Sequence, residues 1–145
     1  MPTARRSRTI AAPPERVWAT VGDPHHLPRW WPRVERVEGV TRERFTEVLG
    51  TDRGRSVRAD FRVVDSRAPE RRAWEQELAG SPFERVFAAA RTEVALAPYD
   101  GGTRVTLVVR QRMRGPARFG GWVVRRATRR VLDEALGALE ALHGP

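Results

Sequence analysis

The last part of the chain constrains the fold more than any other. Phe119, Trp122, Val123, Ala127, Val131, Leu132, Ala135, Leu136, Leu139 and Leu142 fall on one broad apolar stripe at helical period. Gly115 and Pro116 can open such a helix, and Gly144 stands where a helix-ending glycine belongs. From Arg118 to His143 it would run ~39 Å at 1.5 Å per residue. The adjacent Gly120 and Gly121 weaken the first turn, so the regular part is expected from Trp122. A helix this long and one-sided has to lie across another layer.

The preceding residues supply that layer. After Pro32 the apolar period shortens to two, and residues 33–40, 44–50, 55–65, 70–79, 83–97 and 103–114 read as strands. The turns between them are short, which favours antiparallel neighbours. Val57, Ala59, Phe61 and Val63 alternate with Arg58, Asp60 and Arg62, and Val105, Leu107, Val109, Gln111 and Met113 share a face. Before Pro32, residues 4–11 form a short strand. Pro13-Pro14-Glu15 opens a helix with Val17, Trp18 and Val21 on one face, and Asp23-Pro24 caps a second, very short one reaching Trp30-Trp31-Pro32. The expected fold is α+β, in one domain over residues 1–145: an antiparallel sheet curved around a long C-terminal helix, with space between the two layers.

Composition removes several classes of chemistry. The 145 residues include no cysteine, so disulfides, thiolate zinc sites and a thiol nucleophile are excluded. The 27 basic residues are all arginine, which removes Schiff-base chemistry at a lysine. Such a skew is what GC-rich codon usage produces, so the net charge of +9 argues only weakly for a polyanionic partner. No apolar run approaches the ~18 residues of a membrane span, and the basic N-terminus lacks the apolar stretch of a secretory signal. A cytoplasmic protein is expected.

Several segments carry a family likeness. Ile10-Ala11-Ala12-Pro13-Pro14-Glu15-Arg16-Val17-Trp18 resembles the strand-to-helix entry of the START/Bet v 1-like (SRPBCC) superfamily, the polyketide cyclase/dehydrase-like proteins. Asp23, Leu27, Trp30-Trp31-Pro32 and Val34 resemble its second helix and second strand. Leu96-Ala97-Pro98 with Gly101-Gly102-Thr103-Arg104-Val105 resembles its last hairpin. The likeness covers nearly the whole chain. It implies a helix-grip fold, a seven-stranded sheet around the C-terminal helix, with two short helices after the first strand. It implies a hydrophobic ligand under that helix: a lipid, a polyketide, or another aromatic or polycyclic compound. A minority of the superfamily are cofactor-independent cyclases, aromatases or dehydratases. Their polar cavity residues, typically arginine, tyrosine and asparagine, are not matched here: the chain lacks asparagine, and its one tyrosine, Tyr99, falls in a predicted turn.

The residues then offer candidates. Trp31, Trp74 and Trp122 can line a cavity for a flat ligand, with Phe61 on the alternating face. Ala88 and Ala90 leave volume unfilled in the register that holds Thr92. Gln76, Thr92 and Gln111 place polar groups on the same inferred inner face, where a ligand carbonyl or hydroxyl can be oriented. If the protein is an enzyme, Arg58, Arg62, His26 and Gln76 are the residues to test. Neither a cofactor nor a metal is expected, since His25 and His26 are adjacent and do not share a helical face. Glu75 and Glu77 are expected outside, ion-paired beside Arg71 and Arg72. Arg125, Arg126, Arg129 and Arg130 recur at helical spacing, and the alternative to a cavity function is a polyanion- or protein-binding surface there. Nucleic acid is disfavoured because no aromatic is interleaved with the solvent-facing arginines. Monomer and homodimer remain open.

Overall fold

The computed structural model describes residues 3–144, with the backbone alone at residue 117. Strands β1 (Thr3–Ile10), β2 (Val34–Glu38), β3 (Arg44–Gly50), β4 (Ser56–Arg67), β5 (Arg71–Glu77), β6 (Phe87–Tyr99) and β7 (Gly102–Met113) form one antiparallel sheet ordered β1-β7-β6-β5-β4-β3-β2. Between β1 and β2 come helix α1 (Pro14–Val21), a 3-10 turn (Pro24–His26) and helix α2 (Leu27–Trp30). A 3-10 segment (Gly115–Gly120) leads into α3 (Gly121–His143). Every consecutive pair from β2 to β7 is a hairpin, and β1 closes the order by pairing with β7. This is the helix-grip arrangement.

Local chemistry explains the elements between β1 and β2. Pro14 supplies the fixed φ of a first helical residue, and Glu15 adds an acid to the first turn. Asp23 caps the 3-10 turn, its Oδ1 accepting from the His25 backbone N–H at 3.0 Å. At the β1 corner, the Thr103 hydroxyl donates to the Ala12 carbonyl at 2.6 Å within the core. Gly102 faces the Ile10 carbonyl so closely that a Cβ there would collide with it.

The core is concentrated at one end of the grip. Leu132, Ala135, Leu136 and Leu139 of α3 are fully buried against a cluster that includes Ile10, Val17, Val94, Val105 and Leu107. The apolar stripe does not stay buried along the whole helix. Phe119, Trp122, Val123 and Leu142 are exposed, Trp122 by 66%. Where Thr128 and Val131 of α3 face the sheet, the sheet presents Ala59, Ala90 and Thr92, whose short side chains leave space between the layers.

Strand ends shift by a residue or two from the expected bounds, and the largest departure is at the start of β6. A strand was expected from residue 83, but β6 begins at Phe87. Pro82 has no N–H to donate to a ladder. Ser81 instead ties the segment into turns, its hydroxyl donating to the Leu78 carbonyl at 2.7 Å.

Candidate functional site

Between the sheet and the first half of α3 lies a cavity of about 510 Å³. Small-molecule sites range over ~300–1,000 Å³. Glu47 and Leu49 of β3, Val57, Ala59 and Phe61 of β4, Gln76 of β5, Ala90 and Thr92 of β6, and Val109 and Gln111 of β7 form its floor. Thr128 and Val131 of α3 form the roof. Trp31, Pro32 and Arg33 make one rim, and Pro82 and Phe83 another. Arg33 holds a left-handed backbone, φ 68°, where the chain turns from α2 into β2.

The structure gathers six of the nine expected ligand-binding residues around this cavity: Trp31, Phe61, Gln76, Ala90, Thr92 and Gln111. Phe61 pairs across the sheet with Gln76, and Ala90 with Gln111. Gln111 Oε1 lies 3.3 Å from the Thr128 hydroxyl, which donates to it and ties α3 to β7 at the roof. Among the described residues the Gln111 NH₂ has no acceptor. The other three lie elsewhere. Trp74 is buried in the core, edge-on to Trp31 at 6.3 Å and to Phe45 at 6.0 Å. Ala88 is the extra residue where the β6–β7 pairing shifts between Phe87 and Ala89. Such a bulge breaks the alternation that carried the register back from Ala90. Trp122 stands on the outside of α3, in a groove it shares with Arg125, Arg126, Arg129 and Arg130.

Of the residues weighed for catalysis, only Gln76 faces the cavity. Arg58 and Arg62 alternate with the inward residues of β4 and point to the opposite side. They pair there with Glu38 at 2.7 Å and with Glu75 at 3.5 Å. His26 lies 3.8 Å from the Asp23 carboxylate, outside the lining. Glu75 and Glu77 do form outer-face ion pairs, but with Arg62 and Arg91 and with Arg44. Arg71 instead bridges Asp65 and Glu93. Arg72 shares the inward register of Trp74 and is 8% exposed. Burial holds its guanidinium below the usual range, partly offset by Asp23.

The residue that sequence reasoning missed is Glu47. It sits on β3 between Val37 of β2 and Ala59 of β4, and is 4% exposed. Among the described residues it has no hydrogen-bond or ion-pair partner. Burial alone pushes its carboxyl up to about 8, so at neutral pH it carries its proton. The signal was present in the alternation Phe45, Glu47, Leu49, which sets an acid in register with two apolar residues.

The arginines of α3 form a separate feature. Arg125, Arg126, Arg129 and Arg130 line an outer groove with Arg6, Asp133 and Trp122. Trp122 therefore does stand among the solvent-facing arginines, contrary to the expectation that no aromatic would. Among the described residues no three histidine, aspartate or glutamate side chains cluster as metal ligands, and no helix is long and apolar enough to cross a membrane.

The fold is shared widely. A START superfamily protein from Mycobacterium smegmatis superposes with a TM-score of 0.79 at 15% identity, over 97% of this chain and 96% of that one. A protein from Thermus thermophilus does so with a TM-score of 0.73 at 27% identity, over 97% and 95%. The di-domain ARO/CYC StfQ of the steffimycin biosynthetic pathway matches with a TM-score of 0.78 at 12% identity, over 98% of this chain and 50% of that one. No curated protein matches the chain by sequence. The family model described as polyketide cyclase/dehydrase and lipid transport matches residues 1–144, and the chain belongs to that family.

Proposed function

We propose that this protein binds a hydrophobic small molecule between its sheet and the first half of α3: a lipid, a polyketide, or another aromatic or polycyclic compound. The observation that carries this reading is the cavity itself, about 510 Å³ and lined mainly by apolar and aromatic side chains. The space is open to solvent at its rim and runs in beside α3, where the small side chains of Ala59 and Ala90 keep it clear. Trp31, Phe61 and Phe83 offer flat surfaces, and Gln76, Thr92 and Gln111 offer orienting hydrogen bonds.

The test is a thermal-shift screen of aromatic polyketides, flavonoids, sterols and fatty acids against the protein and its Ala90→Leu variant, which fills the cavity from below. A ligand present at 100 times its Kd stabilises the fold by ~2.7 kcal/mol. A shift seen in the parent and absent from a folded Ala90→Leu supports the reading. A shift equal in both places the ligand elsewhere and refutes it.

A second reading, a cofactor-independent cyclase or dehydratase using the same cavity, draws on one observation. Glu47 is a carboxyl that titrates near neutrality inside an apolar space, as general acids and bases do. With Arg58, Arg62 and His26 outside the lining, Gln76 and Glu47 are the residues whose replacement would abolish turnover. Turnover surviving both replacements removes this reading.

A further inference from the structure

The described residues include two buried acids, and the protein treats them in opposite ways. Glu93, on the outer face, is surrounded by arginine: Arg71 at 2.7 Å, Arg110 at 3.1 Å and Arg91 at 3.5 Å. Glu47, more deeply buried, receives none, in a chain that carries 27 arginines. Its neighbours explain why it stays unpaired. Val37 faces it from β2, Ala59 from β4, Gln76 lines the same cavity from β5, and α3 contributes Thr128 and Val131. Arg33 is the one other charged residue lining the cavity among those described. Its side chain is 62% exposed, with the guanidinium 3.5 Å from the Asp52 carboxylate. A buried carboxyl without a partner is unfavourable unless something meets it, and the cavity is the open side on which a ligand can.

We propose that Glu47, in its neutral form, donates a hydrogen bond to an uncharged oxygen acceptor of the ligand, such as a ketone or aldehyde carbonyl, and excludes from its neighbourhood any ligand group that is itself a carboxylate. This rests on the cavity being a ligand site and narrows its ligand to uncharged carbonyl compounds. The neutral acid has one O–H to give. Burial favours that form across the neutral range. A carboxylate placed beside it finds no buried cation, so two acids would have to share one proton. An ammonium group would need Glu47 to ionise first. An uncharged carbonyl needs neither change, and the Gln76 and Gln111 amides and the Thr92 hydroxyl are equally neutral partners for its remaining polar atoms.

The experiment uses four naphthalenes that differ only at one substituent: 2-acetylnaphthalene, 2-naphthoate, 1-(2-naphthyl)ethylamine and 2-ethylnaphthalene. Affinities are measured by calorimetry from about pH 5.5 to pH 9.5. The acetyl compound is expected to bind about tenfold more tightly than the ethyl compound below pH 7, one hydrogen bond's worth. That advantage is expected to vanish above about pH 9 as Glu47 ionises. In Glu47→Gln, whose amide also donates, it should persist and lose its pH dependence. Naphthoate should bind more weakly than the ethyl compound. Equal affinity of the acetyl and ethyl compounds at low pH overturns the proposal while leaving the cavity as a binding site. So does an amine that binds best, with affinity rising through pH 8 and lost in Glu47→Gln. Failure of all four, the ethyl compound included, overturns the cavity reading itself.

Discussion

Glu47 makes a prediction that needs no ligand. Its carboxyl titrates near the ordinary value of 4.5 in the unfolded chain and at about 8 in the fold. The folded value is raised, so the proton is held more tightly in the fold. The associated stability is fully present below about pH 4.5 and is lost as pH rises through about 8. At about 1.4 kcal/mol for each pH unit between those values, the full loss is on the order of 5 kcal/mol. By pH 7 it is on the order of 3 kcal/mol. Glu47→Gln keeps the shape and the neutral state but cannot ionise. Urea unfolding of both proteins from pH 4.5 to pH 9 isolates the effect, because every other titrating pair is common to the two. The curves should agree to within ~1 kcal/mol at pH 4.5 and diverge steadily, the variant becoming the more stable by several kcal/mol at pH 8.5. A difference that does not change with pH would mean that Glu47 is ionised in the fold, and the desolvation argument would be wrong.

Other parts of the structure are open to equally direct checks. Leu136→Ala should lower stability by ~3 kcal/mol in urea unfolding, as full burial in a packed core requires, whereas Trp122→Ala should change it by less than ~0.5 kcal/mol. Similar losses in both would show that the first turns of α3 are packed after all. Arg58→Ala and Arg62→Ala should leave affinity for any cavity ligand unchanged, because both side chains lie on the far side of the sheet. A tenfold loss in either, measured by calorimetry, would move them to the site. Gly102→Ala should reduce Tm by several degrees, since the new Cβ meets the Ile10 carbonyl and the β1–β7 edge has to shift. An unchanged Tm would show that this edge yields freely.

The order of elements was legible because it depends on period and punctuation, which local sequence carries. Val57, Ala59 and Phe61 line the cavity as their alternation with Arg58, Asp60 and Arg62 implied. The errors occur where alternation breaks or where depth matters. At Ala88 a one-residue bulge, invisible to a period-two reading, moved the register. At Trp122 the helical period was right but the face was not: the side chain lies in the outer groove with Arg125, Arg126, Arg129 and Arg130. Glu47 is the one acid of β3. An unpaired acid in an apolar register carries its signal in its neighbours, Phe45 and Leu49. Those neighbours mark it as buried, but only the sheet and helix together show that its open side is a cavity.

The division of α3 has a bearing on how this protein can change. Leu132, Ala135, Leu136 and Leu139 anchor the helix in the last turns, while Thr128 and Val131 face the cavity from the turns before. Fold and selectivity thus fall on consecutive stretches of one element. Substitutions at Thr128 and Val131 can reshape the roof for a new ligand without loosening the anchor. The scaffold can therefore drift in specificity while the stability margin that keeps it folded stays largely untouched.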